Sequence, residues 1–163
     1  MAILSAVFLE LNNLEPQGVI QKYAIAGAMA FLFYTEPVRT YDLDVFIFLP
    51  PQASPLISME PLYSELRRRG YAFDAEHVLM FETPVQLLPA YNDLAIEAVD
   101  QAVTHDYDGV PVKVISAEHL VALALQTGGK HRRIRAEALL EDDVLDVERL
   151  NSILAVHGIE RNG

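Results

Sequence analysis

The stretch YAIAGAMAFLFYTEPVRTYDLDVFIFLP, residues 23–50, decides the fold. YAIAG reads as a short buried strand that stops at Gly27, and AMAFLFY suits a helix starting right after that glycine. EPVRT is a turn, and DLDVFIFLP is a strand of β-branched and aromatic residues closed by Pro50 and Pro51. Asp42 and Asp44 stand at its mouth. Residues two apart on a strand point to one side, so both carboxylates aim at one spot while Leu43 faces the core. Two close carboxylates repel, and one takes up a proton unless a cation lies between them. A hard dication such as Mg²⁺ resolves the conflict through oxygen ligands and can hold a nucleotide's phosphates. An isolated D-x-D is ordinarily a solvated strand end. Here the neighbours favour a site, because a helix start reached through Gly27 and Ala28 offers free N–H groups to an anion, and Arg39 and Thr40 directly precede the aspartates.

Working outward, ILSAVFLELNN before this stretch has helical spacing, and PPQASP (50–55) after it is a loop. MEPLYSELRRRG is a helix with Gly70 as its stop. HVLMFE and PVQLLP form two tightly joined extended segments. NDLAIEAVDQAV is a helix capped by Asn92 or Asp93, and VPVKVIS is a strand. Ser116 caps AEHLVALALQTGG, and RIRAEALLEDD and DVERLNSILAVHG add two more helices. The order α-β-α-β-α-β-β-α-β-α-α-α predicts an α/β (α+β) fold, a mixed sheet flanked by helices. One domain is expected over 1–163, with a core over about 20–115 and a helical tail over about 116–160.

The chain has 163 residues, a formal net charge of −11 and no cysteine. Disulfides, thiolate metal sites and thiol catalysis are excluded. So acidic a chain is no generic nucleic-acid-binding surface. Its apolar runs fall short of the roughly 20 residues of a membrane span. The first residues lack a basic signal-peptide n-region, so a cytoplasmic protein without membrane contact is expected. The five histidines show no HExxH or HxH spacing, which argues against a zinc site. Most basic residues sit in LRRRGY (66–71) and GGKHRRIR (128–135); the second block could grip phosphate through Lys130, Arg132, Arg133 and Arg135.

A strand ending in a glycine turn, a helix, and then R-x-T-x-D-h-D-h, seen here as AIAGAMA…VRTYDLDV, resembles the DNA polymerase β-type nucleotidyltransferase superfamily. VKVISAEHLVALAL looks like a segment of its small bacterial and archaeal members, among them the abortive-infection toxins of type IV toxin–antitoxin systems. The resemblance covers roughly residues 20 to 155. It implies that Asp42 and Asp44 are the catalytic, metal-binding pair and that Gly27 and Ala28 approach a nucleoside triphosphate; beside them Arg39 and Thr40 are expected to bind the nucleotide, with Arg39 or Lys130 neutralising its charge. It further implies Mg²⁺ (or Mn²⁺) as cofactor and transfer of a nucleoside monophosphate to a hydroxyl of a protein, an RNA end or a small molecule. A cognate antitoxin-like protein would be a partner, and the apolar C-terminal helices would suit a homodimer.

The chain departs from the family pattern in three places. Ala28 stands where the family has Gly or Ser, and Ala124 where a lysine is common. Gln86, in PVQLLP, stands where a third acid is expected. An amide oxygen can coordinate a metal, but it brings no charge and takes no proton. Glu82 would share Gln86's face on an unbroken strand, but Pro84 lies between them. The alternative to an active enzyme is therefore a catalytically impaired nucleotidyltransferase-fold protein that binds nucleotide or a partner chain.

Overall fold

Seven strands and seven helices were identified in a computed structural model that describes residues 2–34, 42–52, 58–141 and 144–161. The architecture is a mixed α/β fold. The elements are α1 (Ala2–Leu14), β1 (Lys22–Ala26), α2 (Gly27–Ala30), β2 (Leu43–Phe48), α3 (Glu60–Arg68), β3 (Ala72–Asp74), β4 (His77–Met80), β5 (Thr83–Pro89), α4 (Asp93–Asp100), β6 (Val103–Tyr107), β7 (Val110–Val114), α5 (Ala117–Thr127), α6 (Lys130–Leu140) and α7 (Val147–Val156). A short 3-10 turn, Phe31–Phe33, extends α2.

One sheet runs in the order β3-β4-β5-β2-β1-β7-β6. β1 and β2 are antiparallel, while β2–β5 and β1–β7 are parallel, so the sheet is mixed at its centre. The C-terminal end of β1 therefore lies beside the N-terminal end of β2, and Ala26 pairs with Asp44.

Alternation divides the two faces. Leu43, Val45 and Ile47 are buried with Tyr23 and Ile25 on one face. α1 covers this side: the Tyr23 hydroxyl donates to Asn12 Oδ1 and accepts from the Lys113 N–H, and Lys113 Nζ pairs with Glu15 at 2.8 Å. Burial pushes the Tyr23 phenol up to about 12, ahead of the opposing backbone hydrogen bond. α3 joins α1 through Arg69 and Glu10, 3.6 Å apart. The opposite face carries Ala26, Asp44, Phe46 and Gln86 toward α5 and α6.

Local caps follow the expected chemistry. Asn92 caps α4 by accepting from the Ala95 N–H, Ser116 caps α5 by accepting from the His119 N–H, and Asp146 caps α7. β3 and β6 are additions to the sequence expectation. Both are edge strands whose residues are mostly exposed, with burial that never settles into the apolar-in pattern of a core strand. β6 also claims Val103, the last residue of the segment read as helix, because α4 ends at Asp100.

Candidate functional site

β1 ends at Ala26, and Gly27 turns the chain into α2 with φ +62. A Cβ at position 27 would lie 2.5 Å from Asp44 Oδ2, so both the left-handed backbone and the space beside it require glycine. α2 is only four residues long, so its dipole adds little, and the close backbone approach is what Gly27 contributes. Asp42 precedes the strand by one residue, and Leu43 between the two aspartates is buried.

The register extends this arrangement across the sheet. Asp44 pairs with Gln86 on β5, and Gln86 pairs with His77 on β4. Paired residues share a face, so His77, Gln86, Asp44 and Ala26 form one row over four strands. Ala26, Asp44 and Gln86 of this row line a cavity of about 530 Å³. Asp42, Asp44 and Gln86 line one side, Arg132 and Arg135 of α6 another, and Phe46, Leu88, Leu120 and Leu123 supply apolar wall.

Burial pushes the Asp44 carboxyl above its ordinary value, and the neighbouring Asp42 adds to this; His77, Arg132 and Arg135 pull the other way. His77 Nε2 lies 3.1 Å from Asp42 Oδ2. That approach suits an ion pair by distance but is off the line a hydrogen bond needs, so the buried Nε2 is left without a hydrogen-bond partner.

Five residues singled out from the sequence meet here: Gly27, Ala28, Asp42, Asp44 and Gln86 all line the cavity. Arg39 and Thr40 lie outside the described residues. Lys130 is exposed at the start of α6 and does not line the cavity, whereas Arg132 and Arg135 of the same block do. Glu82 sits exposed in the two-residue β4–β5 turn with φ +69, away from the cavity lining, and Pro84 is accommodated within β5. His77 was not anticipated.

Two acids and a neutral amide, Asp42, Asp44 and Gln86, make up the oxygen donors that line the cavity. Among the described residues no three His, Asp or Glu side chains gather closely enough to enclose an ion. Mg²⁺ is commonly held by one or two carboxylates with water and substrate phosphates filling the rest. Asp42 and Asp44, with the Gln86 amide paired beside Asp44, would offer two carboxylates to such an ion at this edge of the cavity.

A second polar cluster mimics a catalytic triad. Ser116 Oγ is 2.7 Å from His119 Nδ1, and Nε2 is 2.9 Å from Glu97 Oε2, which also receives His157 Nε2 at 3.1 Å. Ser116 and His119 are 2% and 0% exposed, and the same Oγ caps α5. No substrate reaches that oxygen, so the cluster is a latch joining α4, α5 and α7. Glu97 is its centre.

No family model matches the chain, and no curated protein does. Solved structures do. An antigenic nucleotidyltransferase-like protein from Paracoccidioides brasiliensis is similar with a TM-score of 0.60 at 16% identity, covering 96% of this chain and 87% of that one. ANT(2'')-Ia in complex with adenylyl-2''-tobramycin is similar with a TM-score of 0.54 at 14% identity, covering 94% and 95%. The solution structure of the antibiotic-resistance factor ANT(2'')-Ia gives 0.54 at 14% identity, covering 97% and 93%. At these identities the likeness is one of fold, and it establishes a nucleotidyltransferase-like fold over nearly the whole chain.

Proposed function

We infer that this protein is a metal-dependent nucleotidyltransferase, moving a nucleoside monophosphate from a triphosphate to a hydroxyl acceptor. The observation that carries this reading is the abutment of Gly27 against Asp44, with Asp42 beside it and Arg132 and Arg135 facing both. Asp42 and Asp44 would hold the divalent ion, Mg²⁺ or Mn²⁺, which when bound neutralises charge on the phosphates and polarises the attacked phosphorus. Gly27 keeps the backbone low enough for phosphate to approach. Arg132 and Arg135 provide guanidinium groups for phosphate oxygens, an anion grip in a chain of net charge −11.

In the transfer, the acceptor oxygen forms a bond to the α-phosphorus. The bond from that phosphorus to the bridging oxygen breaks, and pyrophosphate departs with the electron pair. Gln86 takes no proton, so the hydroxyl proton goes to water. Positioning and charge stabilisation carry most of such chemistry, which supports slow turnover without a third carboxylate. The adenylyl-tobramycin complex among the similar structures supports a small-molecule hydroxyl as acceptor. Protein or RNA hydroxyls and an antitoxin-like partner rest on the sequence resemblance, a homodimer rests on the apolar C-terminal helices, and the cavity adds no residue to any of them.

Gln86 beside Asp44 favours a second reading, a fold that binds nucleotide without turnover. Incubation with each labelled triphosphate, Mg²⁺ and candidate acceptors separates the two. Pyrophosphate release that is lost in Asp42→Asn and Asp44→Asn, and raised in Gln86→Asp, supports transfer. Nucleotide binding with no release from either the wild type or Gln86→Asp replaces it with the binding module.

A further inference from the structure

We propose that the acceptor this site serves best is a phosphate monoester, whose ionised oxygen attacks the α-phosphorus without surrendering a proton, and that transfer to a hydroxyl is the slower of two activities. The inference rests on the nucleotidyl-transfer reading above and assigns an acceptor class to the same site.

The first observation behind it is a missing base. Asp42 and Asp44 are the only carboxylates among the described residues that line the cavity, and in that reading both are committed to the ion. No histidine, lysine or tyrosine among the described residues lines it. Gln86 is paired beside Asp44, next to the metal pair, and an amide takes no proton. A positioned base contributes about 10²–10⁴-fold to a step that removes a proton. A hydroxyl acceptor forgoes that factor here. A phosphate monoester loses its second proton at a pKa of about 6, so at neutral pH its oxygen arrives already ionised and needs no base.

The second observation is the doubled cationic wall. Arg132 and Arg135 are three residues apart on α6, so both line the cavity one turn from each other, with Cβ atoms about 5–6 Å apart. During transfer the acceptor and the departing pyrophosphate lie on opposite sides of the α-phosphorus. Two guanidinium groups so spaced can serve one anion on each side, and the planar fork of each matches phosphate oxygens. On this assignment Arg135, half-buried, holds the triphosphate, and Arg132, exposed at the rim, holds the acceptor. An uncharged alcohol would make no use of the second guanidinium. Phe46, Leu88 and Leu123 offer the organic group of the ester an apolar surface. One oxygen of the monoester forms a bond to the α-phosphorus, the bond from that phosphorus to the bridging oxygen breaks, and pyrophosphate departs with the electron pair. No proton moves, and the product is an ester of a nucleoside diphosphate. A carboxylate is also ionised, but its product would be a mixed acyl anhydride richer in energy than the bond broken, whereas a phosphate acceptor exchanges one phosphoanhydride for another.

The test offers the full chain, with each ribonucleoside triphosphate and Mg²⁺, a matched pair of acceptors: phenyl phosphate, which carries no alcohol, and benzyl alcohol, which carries no phosphate. The wild type should form the phenyl ester of the nucleoside diphosphate, seen as a coupled pair of ³¹P doublets, at least tenfold faster than the benzyl ester of the monophosphate. Its rate should level off above a pH of about 6, while the alcohol reaction keeps rising with pH. Gln86→Asp, which supplies both a base and a like charge, should reverse the preference. With Mg²⁺ and an α,β-methylene triphosphate in place, calorimetric titration should show phenyl phosphate binding that Arg132→Ala weakens at least tenfold. Circular dichroism melts identify a variant that fails to fold, and the wild-type comparison is decisive without either. Benzyl alcohol reacting as fast as phenyl phosphate in the wild type overturns the acceptor assignment and leaves the transferase reading standing. No product from either acceptor, in the wild type and Gln86→Asp alike, removes the two together.

Discussion

Replacing Gly27 by alanine isolates the contact on which the cavity is built. Two penalties are expected. A non-glycine residue at φ +62 costs about 1–2 kcal/mol of backbone strain. The new Cβ would also lie 2.5 Å from Asp44 Oδ2 and 3.1 Å from its Cβ, so Asp44 must leave its rotamer at a cost of about 0.5–1.5 kcal/mol. Gly18→Ala is the internal control. Gly18 has φ +75 with nothing within 4 Å of a built Cβ, so it carries the strain without the collision. The unfolded-state gain of a Gly→Ala change applies to both and cancels. Gly27→Ala should therefore be the less stable of the two by about 1 kcal/mol, or about 2–4 °C in Tm for a chain of this size. Calorimetric metal titration should show at least a tenfold loss, about 1.4 kcal/mol, in Gly27→Ala because the Asp44 carboxylate has turned away, and no loss in Gly18→Ala. Equal Tm values together with unchanged metal affinity would refute the claim that Gly27 is shaped by Asp44.

Three further outcomes are expected. Asp44→Asn should raise the Tm of the metal-free protein at pH 7 while weakening metal binding. Asp44's carboxyl is held above its ordinary value by burial and then Asp42, so its contribution is present below the ordinary carboxylate pKa and is lost as pH rises through the raised one. Wild-type and variant melts should converge in acid. Glu97→Ala should cost about 1–3 kcal/mol by stranding the buried His119 Nε2. Burial keeps His119 below its ordinary value, so melts of the wild type should lose stability as pH falls through about 6.5, where the unfolded chain gains the proton, and this step should be altered in Glu97→Ala. Arg135→Ala should weaken triphosphate binding by about tenfold or more, the worth of one charged hydrogen bond, with metal affinity unreduced; fluorescence titration with a labelled triphosphate measures it.

The core of the fold and half of the candidate site could be read from residues alone, for a definite reason. β1 and β2 are central strands whose side chains alternate or are wholly apolar, and a glycine between strand and helix has few explanations. Gln86 could be placed because apolar flanks locate it on β5. β3 and β6 escaped because an exposed edge has no buried face to leave a pattern. His77 escaped for a subtler cause. Its position in the row depends on hairpin register, and a two-residue turn with left-handed φ at both centres normally announces itself with Asn or Gly. Here those centres are Phe81 at φ 50 and Glu82 at φ 69, so nothing in the letters marks the turn. Composition identified the basic block of 128–135, but only packing of α6 on α5 selects Arg132 and Arg135 over Lys130.

The acidic wall of the cavity comes from early in the chain and the cationic wall from α6, late in it. Whatever fills the space works as a clasp between those two segments. Linkage then runs in both directions: a macromolecule that grips the outer side of α6 and shifts its guanidinium groups changes the affinity of the occupant, and the occupant changes the grip by the same factor. The helix is thereby a handle through which the chemistry could be governed from outside, without any contact at the carboxylates.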